Sequence, residues 1–373
     1  MICSGIHAVT GESVTVEFER TILSVRPTES QPDAPYVAAG LIDLQVNGFA
    51  GVDFNDPGSP YMGRALDAML ATGVTRCLPT IITGPRAEMC TCLRNLRSAT
   101  VGWPRGRVIA GFHVEGPHIG PEDGPRGAHP AMWVRPPDLD EFARWQEATD
   151  GNIRLVTMSP HWPETPRYVA ALVEAGVVVS IGHTNATKDQ IAAAVDAGAT
   201  LSTHLGNAAP KLLPKFPNVL MDQLAEDRLS ASFIVDGHHL DDAFLRVALR
   251  AKKIDRAILV TDAAAPAAMP PGHFRLGELD VELTSDDRVV LAGTSKLAGS
   301  ALRMDRAISN LIRIADVLLA DAIQTATTNP ARLIRLEGRK QGLVPGDRAD
   351  LVVFRNTAPL QIEAVYLDGE RVI

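Results

Sequence analysis

The spacing of apolar and polar positions divides this chain into two β-rich ends and a long middle. Near the start, Ser13-Val14-Thr15-Val16-Glu17-Phe18 alternates residue by residue, the period of a half-buried strand. Near the end, Asp350-Leu351-Val352-Val353-Phe354 and Ala364-Val365-Tyr366-Leu367 read as two further strands, the second leading into an Asp368-Gly369 turn. In the middle, short apolar runs alternate with Ala-rich segments of helical period. Residues 65–72, 168–175 and 188–198 are examples, and each stops at or just before a glycine. The apolar runs end near Gln45, Pro79, Glu115, Met158, His183, His204, Asp236 and Asp262, roughly 20 to 45 residues apart, the size of a βα unit.

Eight such units predict an α/β fold, a (β/α)8 TIM-like barrel over residues 41–340, whose active site sits at the C-terminal ends of its strands. The two ends, 1–40 and 341–373, predict one small β-sandwich domain. Within the barrel, residues 278–284 and 288–291 face each other across Ser285-Asp286-Asp287. They predict a β-hairpin inserted near 274–296, on the face whose loops carry specificity.

Composition narrows the function. Hydrophobic residues make up 46% of the 373, enough for a large core, and charged residues 21%. The net charge of −8 argues against nucleic acid and against an anionic membrane surface as partners. No run of about 18 apolar residues predicts a membrane-spanning helix. Met1 to His7 has no basic region followed by an apolar core, so we expect no secretion signal. Cys3, Cys77, Cys90 and Cys92 form no CxxC pair. We read them as reduced thiols of a cytoplasmic protein.

Four strand ends carry candidate chemistry. Phe112-His113-Val114-Glu115-Gly116-Pro117, Ile181-Gly182-His183-Thr184 and Ser202-Thr203-His204-Leu205 end in side chains that bind zinc, and Val260-Thr261-Asp262-Ala263 ends in an aspartate. Glu115, His183 and His204 can give three ligands to one metal and leave a position open for water, the pattern of a catalytic rather than a structural zinc. Asp262 can then move that water's proton, serve as a fourth ligand, or do both. Residues i and i+2 of a strand share a face, so His113 is expected to point inward with Glu115. His129, in the Gly/Pro-rich loop after that strand, is placed to polarise a carbonyl or bind a hydroxyl, unless it is an ordinary surface histidine. His238 and His239 follow Asp236-Gly237, and one of them is a candidate for an anion.

Taken together, these segments resemble the N-acetylglucosamine-6-phosphate deacetylase family of the amidohydrolase superfamily. The resemblance covers nearly the whole chain. It runs from Leu41-Ile42-Asp43-Leu44-Gln45-Val46-Asn47-Gly48 and His113-Val114-Glu115-Gly116-Pro117 through Gly127-Ala128-His129 and Gly182-His183-Thr184-Asn185-Ala186. It continues with Thr203-His204-Leu205, Asn207-Ala208, Asp236-Gly237, His239, Thr261-Asp262-Ala263, Leu297-Ala298-Gly299-Ser300 and Gly346-Asp347 before Ala349-Asp350-Leu351. It implies metal-dependent hydrolysis of an N-acetyl amino sugar, a small-molecule substrate, by a homodimer. Glu115, His183 and His204 would hold one divalent ion, Zn2+ or else Fe2+, Mn2+ or Co2+. Asp262 would be the acid/base, and His129 would stabilise the oxyanion. Ala128, His129, Asn207, Ala208, His239, Leu297, Ala298 and Gly299 would touch substrate. Related barrels carry His-x-His where this chain has Gln45 and Asn47, neutral amides that leave a second metal position vestigial.

One departure bears on the substrate. The family usually places an arginine for the sugar phosphate shortly after the Asn-Ala pair. Here residues 209–218 contain no arginine, but Lys211 or Lys215 could replace it as a point charge for the phosphate, and Gly206 stands where a bulkier residue is common. The resemblance makes deacetylation of N-acetylglucosamine 6-phosphate the leading expectation, and the departure favours the deacetylation over the 6-phosphate. The first rival is an unphosphorylated or different N-acyl sugar or N-acyl amino acid, and the second is a non-catalytic binding scaffold of the same fold.

Overall fold

In the computed structural model, which describes residues 1–30, 33–58 and 62–373, eight parallel strands follow one another around a barrel. They are Leu41–Val46, Val74–Ile82, Phe112–Glu115, Ile153–Met158, Val178–Ile181, Leu201–Ser202, Ser230–Phe233 and Ala257–Leu259. The last meets the first through Asp262 N–H donating to Gln45 O (2.9 Å) and Asn47 N–H donating to Ala263 O (2.7 Å). Every expected strand falls where the apolar runs put it. The expected ends lie close to the observed ones, Pro79 falling inside its strand, which continues to Ile82, and Asp236 and Asp262 just beyond theirs, which end at Phe233 and Leu259.

The strands read as near-continuous apolar runs because helices cover their outer faces. Helix Met62–Leu70 shows how one cover forms. It buries Met62, Ala65, Leu66, Met69 and Leu70 on one stripe, the i, i+3, i+4 pattern of an amphipathic helix. Truncating Leu66 to alanine would cost about 2–5 kcal/mol. Helix Lys188–Asp196 starts at a capping box, where Thr187 and Gln190 satisfy each other's backbone N–H groups.

Strands from both chain ends join in one seven-stranded sheet. It folds back on itself, so that Phe18 and Tyr366 meet edge to face with ring centres 5.0 Å apart. A separate apolar core fills the fold, including Val14, Val16, Phe18, Leu351 and Val353. At the strand-start end of the barrel, buried Arg76 clamps this sheet. Its Nε lies 2.8 Å from Asp350 Oδ2 and its Nη2 lies 2.7 Å from Asp368 Oδ1.

The insertion is a three-stranded antiparallel sheet: Gly272–Leu276, Leu279–Leu283 and Val289–Leu291. It contains the expected hairpin and adds the strand at 272–276. That strand alternates half-buried and exposed positions before buried Leu276, over only five residues directly after Pro270-Pro271, which masks it in the sequence.

Candidate active site

The four strand-end residues meet at one end of the barrel. Glu115 closes the third strand, and its Oε1 lies 3.2 Å from His183 Nε2 and 2.9 Å from His204 Nε2. One ligand atom from each of the three falls within 4.8 Å of the others, and all three residues are buried. His113 shares the inward face with Glu115 but sits one layer deeper. Its ring lies between Thr157 Oγ1 (2.8 Å) and Thr80 Oγ1 (3.3 Å), so it packs the barrel and leaves the ligand set to the other three.

The donor set suits a cation. His183 Nδ1–H donates to Pro125 O (3.1 Å), which turns the lone pair of Nε2 toward Glu115. A buried carboxylate and two imidazoles thus converge on one point. No Lys or Arg lines the surrounding cavity of about 130 Å³ among the described residues.

Asp262 lies beside this set. Asn47 Nδ2–H donates to Asp262 Oδ1 (2.7 Å), and Gln45 Nε2–H reaches both Asp262 Oδ1 (3.2 Å) and Glu115 Oε1 (2.7 Å). Gln45 therefore bridges the two carboxylates, while Asn47 holds Asp262 alone. Burial, then the nearby Glu115 charge, push Asp262 up to about 6. His183, His204 and Asp262 all hold left-handed backbone, with φ of 51°, 30° and 49°. Such backbone is uncommon for residues other than glycine, and local strain of this kind gathers at functional sites.

Every residue expected to touch substrate lines the cavity: Ala128, His129, Asn207, Ala208, His239, Leu297, Ala298 and Gly299. His129 is buried rather than a surface histidine. Lys211 and Lys215 lie elsewhere, exposed on their loop and outside the cavity wall. Gly206 has a packing cause. Its φ is +105°, and a Cβ there would stand 2.6 Å from Leu240 and 2.7 Å from Phe244.

Four features of the site were not apparent from the sequence. Thr83 lies 2.7 Å from His129 Nδ1, and Pro125 supplies its carbonyl to His183. Asp236 holds His239 Nδ1 at 2.6 Å, although the Asp-Gly-x-His spacing was a usable signal for that pair. Leu276 and Leu279 of the inserted sheet reach into the wall, at the border expected of that insertion.

Fold and site together define a barrel hydrolase with room for a metal ion. The amidohydrolase family model matches residues 36–372. The N-acetylglucosamine-6-phosphate deacetylase of Bos taurus is 36% identical over 350 residues, covering 90% of this chain and 83% of that protein. The N-acetylgalactosamine-6-phosphate deacetylase of Escherichia coli O157:H7 is 29% identical, covering 91% and 89%. The structure of N-acetyl-D-glucosamine-6-phosphate deacetylase from Mycobacterium smegmatis superposes with a TM-score of 0.91 at 30% identity, over 100% of both chains. The chain belongs to the amidohydrolase family, in its N-acetylglucosamine-6-phosphate deacetylase branch. It is a carbon–nitrogen hydrolase, which removes the binding-scaffold reading. No helix among the described residues is long and apolar enough to cross a membrane. All four cysteines are free.

Proposed function

We propose that this enzyme hydrolyses the N-acetyl amide of N-acetylglucosamine 6-phosphate to glucosamine 6-phosphate and acetate. One observation carries the reading: Glu115, His183, His204, His129 and Asp262 converge on one cavity, in a chain 36% identical to a deacetylase of that sugar phosphate. Glu115, His183 and His204 hold one divalent ion, zinc by preference, with iron, manganese and cobalt also suited to this donor set. That ion supplies Lewis acidity to the amide carbonyl and to water.

The chain's own groups do the rest. Asp262 accepts a proton from the attacking water and returns it to the departing amine nitrogen. A carboxyl raised to about 6 is better matched to both tasks than an ordinary one. His129 donates a hydrogen bond to the developing oxyanion. Asn47 and Gln45 keep Asp262 aimed, and Leu276, Leu279 and Leu297 form the apolar wall. His239 and Asn207 contact the sugar phosphate, and Ala128, Ala208, Ala298 and Gly299 line its path.

We further propose a cytoplasmic homodimer. Free thiols suit a reducing compartment. Leu212 and Phe216 are 91% and 72% exposed on the loop after Ala208, an apolar surface for a second subunit. Lys211 and Lys215 of that loop would then bring charge to the neighbour's phosphate site. A terminal domain of residues 1–40 and 341–373 beside a barrel of 41–340 is also our division, supported by the separate apolar core of the terminal sheet.

The absence of Lys and Arg from the described cavity wall favours a second reading, an unphosphorylated N-acyl sugar. Amine release by zinc-loaded enzyme from N-acetylglucosamine, with and without its 6-phosphate, separates the two. A strong preference for the phosphate supports the first reading. Cleavage of the plain sugar alone supports the second, and cleavage of neither defeats both.

A further inference from the structure

We infer that Thr83 is a positioning residue that fixes which nitrogen of His129 carries the proton. Thr83 follows the second barrel strand directly and is buried, 3% exposed. Its Oγ1 lies 2.7 Å from His129 Nδ1. Gly116, next to the ligand Glu115, makes room for this contact, since a Cβ there would stand 2.2 Å from Thr83 Oγ1.

Two tautomers fit that distance, and the accounting of protons chooses one. Among the described residues His129 Nδ1 is the only hydrogen-bond partner of the Thr83 hydroxyl. Were Nδ1 protonated and donating, the buried hydroxyl proton would have no acceptor, and an orphaned buried donor is costly. With the hydroxyl donating to Nδ1, both groups are satisfied and the ring proton resides on Nε2. That nitrogen faces the cavity, 3.9 Å from Glu115 Oε2. The same accounting excludes the doubly protonated ring, whose Nδ1–H would leave the buried hydroxyl proton without an acceptor.

The consequence is directional. Thr83 keeps His129 a donor toward the reaction centre and prevents it from presenting a lone pair there. A lone pair would repel a developing oxyanion, whereas an N–H stabilises it. This role rests on the proposed amide hydrolysis, but the tautomer itself does not.

The test uses the metal-loaded full chain with ring-15N histidine. His129 is assigned by the signal lost in His129→Gln. Wild type should show His129 as the Nε2–H tautomer. Thr83→Val, which keeps the shape but removes the hydroxyl, should populate the Nδ1–H form. It should also lower kcat by about tenfold to a hundredfold with little change in KM. Thr83→Ser should restore both the signal and most of kcat, which guards against a packing effect of the valine. An Nδ1–H ring in wild type, or a Thr83→Val enzyme with unchanged tautomer and kcat, would overturn the assignment. Wild type that shows the Nε2–H ring yet deacetylates neither sugar would defeat the proposed reaction while leaving the tautomer assignment standing.

Discussion

The barrel buries a charged cluster at each end, and the two are built on opposite plans. At the strand-start end, Asp350 and Asp368 each meet a guanidinium. Arg76 spans both, while Arg107 and Arg348 add to Asp368 at 3.1 Å each. At the strand-finish end, Glu115 and Asp262 share a cavity whose described wall contains no Lys or Arg. Their neighbours are imidazoles and amides, and among the described residues both Asn47 Oδ1 and His204 Nδ1 lack a hydrogen-bond partner. The first cluster matches its carboxylates with guanidinium groups, leaving only guanidinium nitrogens such as Arg339 Nε spare among the described residues, and joins the barrel to the terminal sheet. The second keeps bonding capacity in reserve, which is the condition for taking up a cation and a substrate.

The contrast can be broken from either side. The largest effect is expected at Asp262. Asp262→Asn should lower kcat by about 10³- to 10⁴-fold while metal content stays at one per chain, as read by kinetics and elemental analysis together. Equal activity in that variant would remove it from proton transfer. Next comes the cation itself. Chelation should abolish turnover, added divalent ion should restore it, and Glu115→Ala should neither bind the ion nor recover. A chelated enzyme that still turns over would refute the metal reading.

Substitutions at the opposite end should leave the chemistry alone. Arg76→Met strands buried carboxylates and should cost about 3–5 kcal/mol of stability, with kcat of the folded fraction unchanged. Denaturant titration beside the assay checks both halves. The smallest effect lies outside both clusters. Lys252 is buried and donates to the carbonyls of Glu226 and Leu229. Burial lowers its pKa to about 8 from 10.5. Between those values the unfolded chain holds the proton that the folded one has released, so stability should rise with pH across that window. The gain should be about 1–3 kcal/mol in wild type and absent in Lys252→Met. A flat wild-type profile would contradict it.

The sequence already carried much of this. The eight barrel strands were legible because strands covered on both faces are apolar throughout, and their ends carried Glu115, His183, His204 and Asp262. The period of two also placed His113 inward, but it gives direction and not depth, so the threonine layer beneath the ligands was hidden. Thr83 and Pro125 were invisible for another reason. Each acts through a partner 46 or 58 residues away, and no local pattern encodes that meeting. Gly206 looked like a departure in substrate recognition, whereas its neighbours Leu240 and Phe244 show a packing need that only the folded chain reveals.

The left-handed backbone at His183, His204 and Asp262 has a consequence for engineering. Glycine occupies such conformations freely, and other residues there cost of order 1–3 kcal/mol each. A screen for heat resistance alone would weigh that strain only against the bonds of the buried side chain, and would admit glycine wherever the strain is the larger. There it would return a sturdier barrel with its reaction centre erased, so any stabilisation campaign on this scaffold has to hold these three positions fixed.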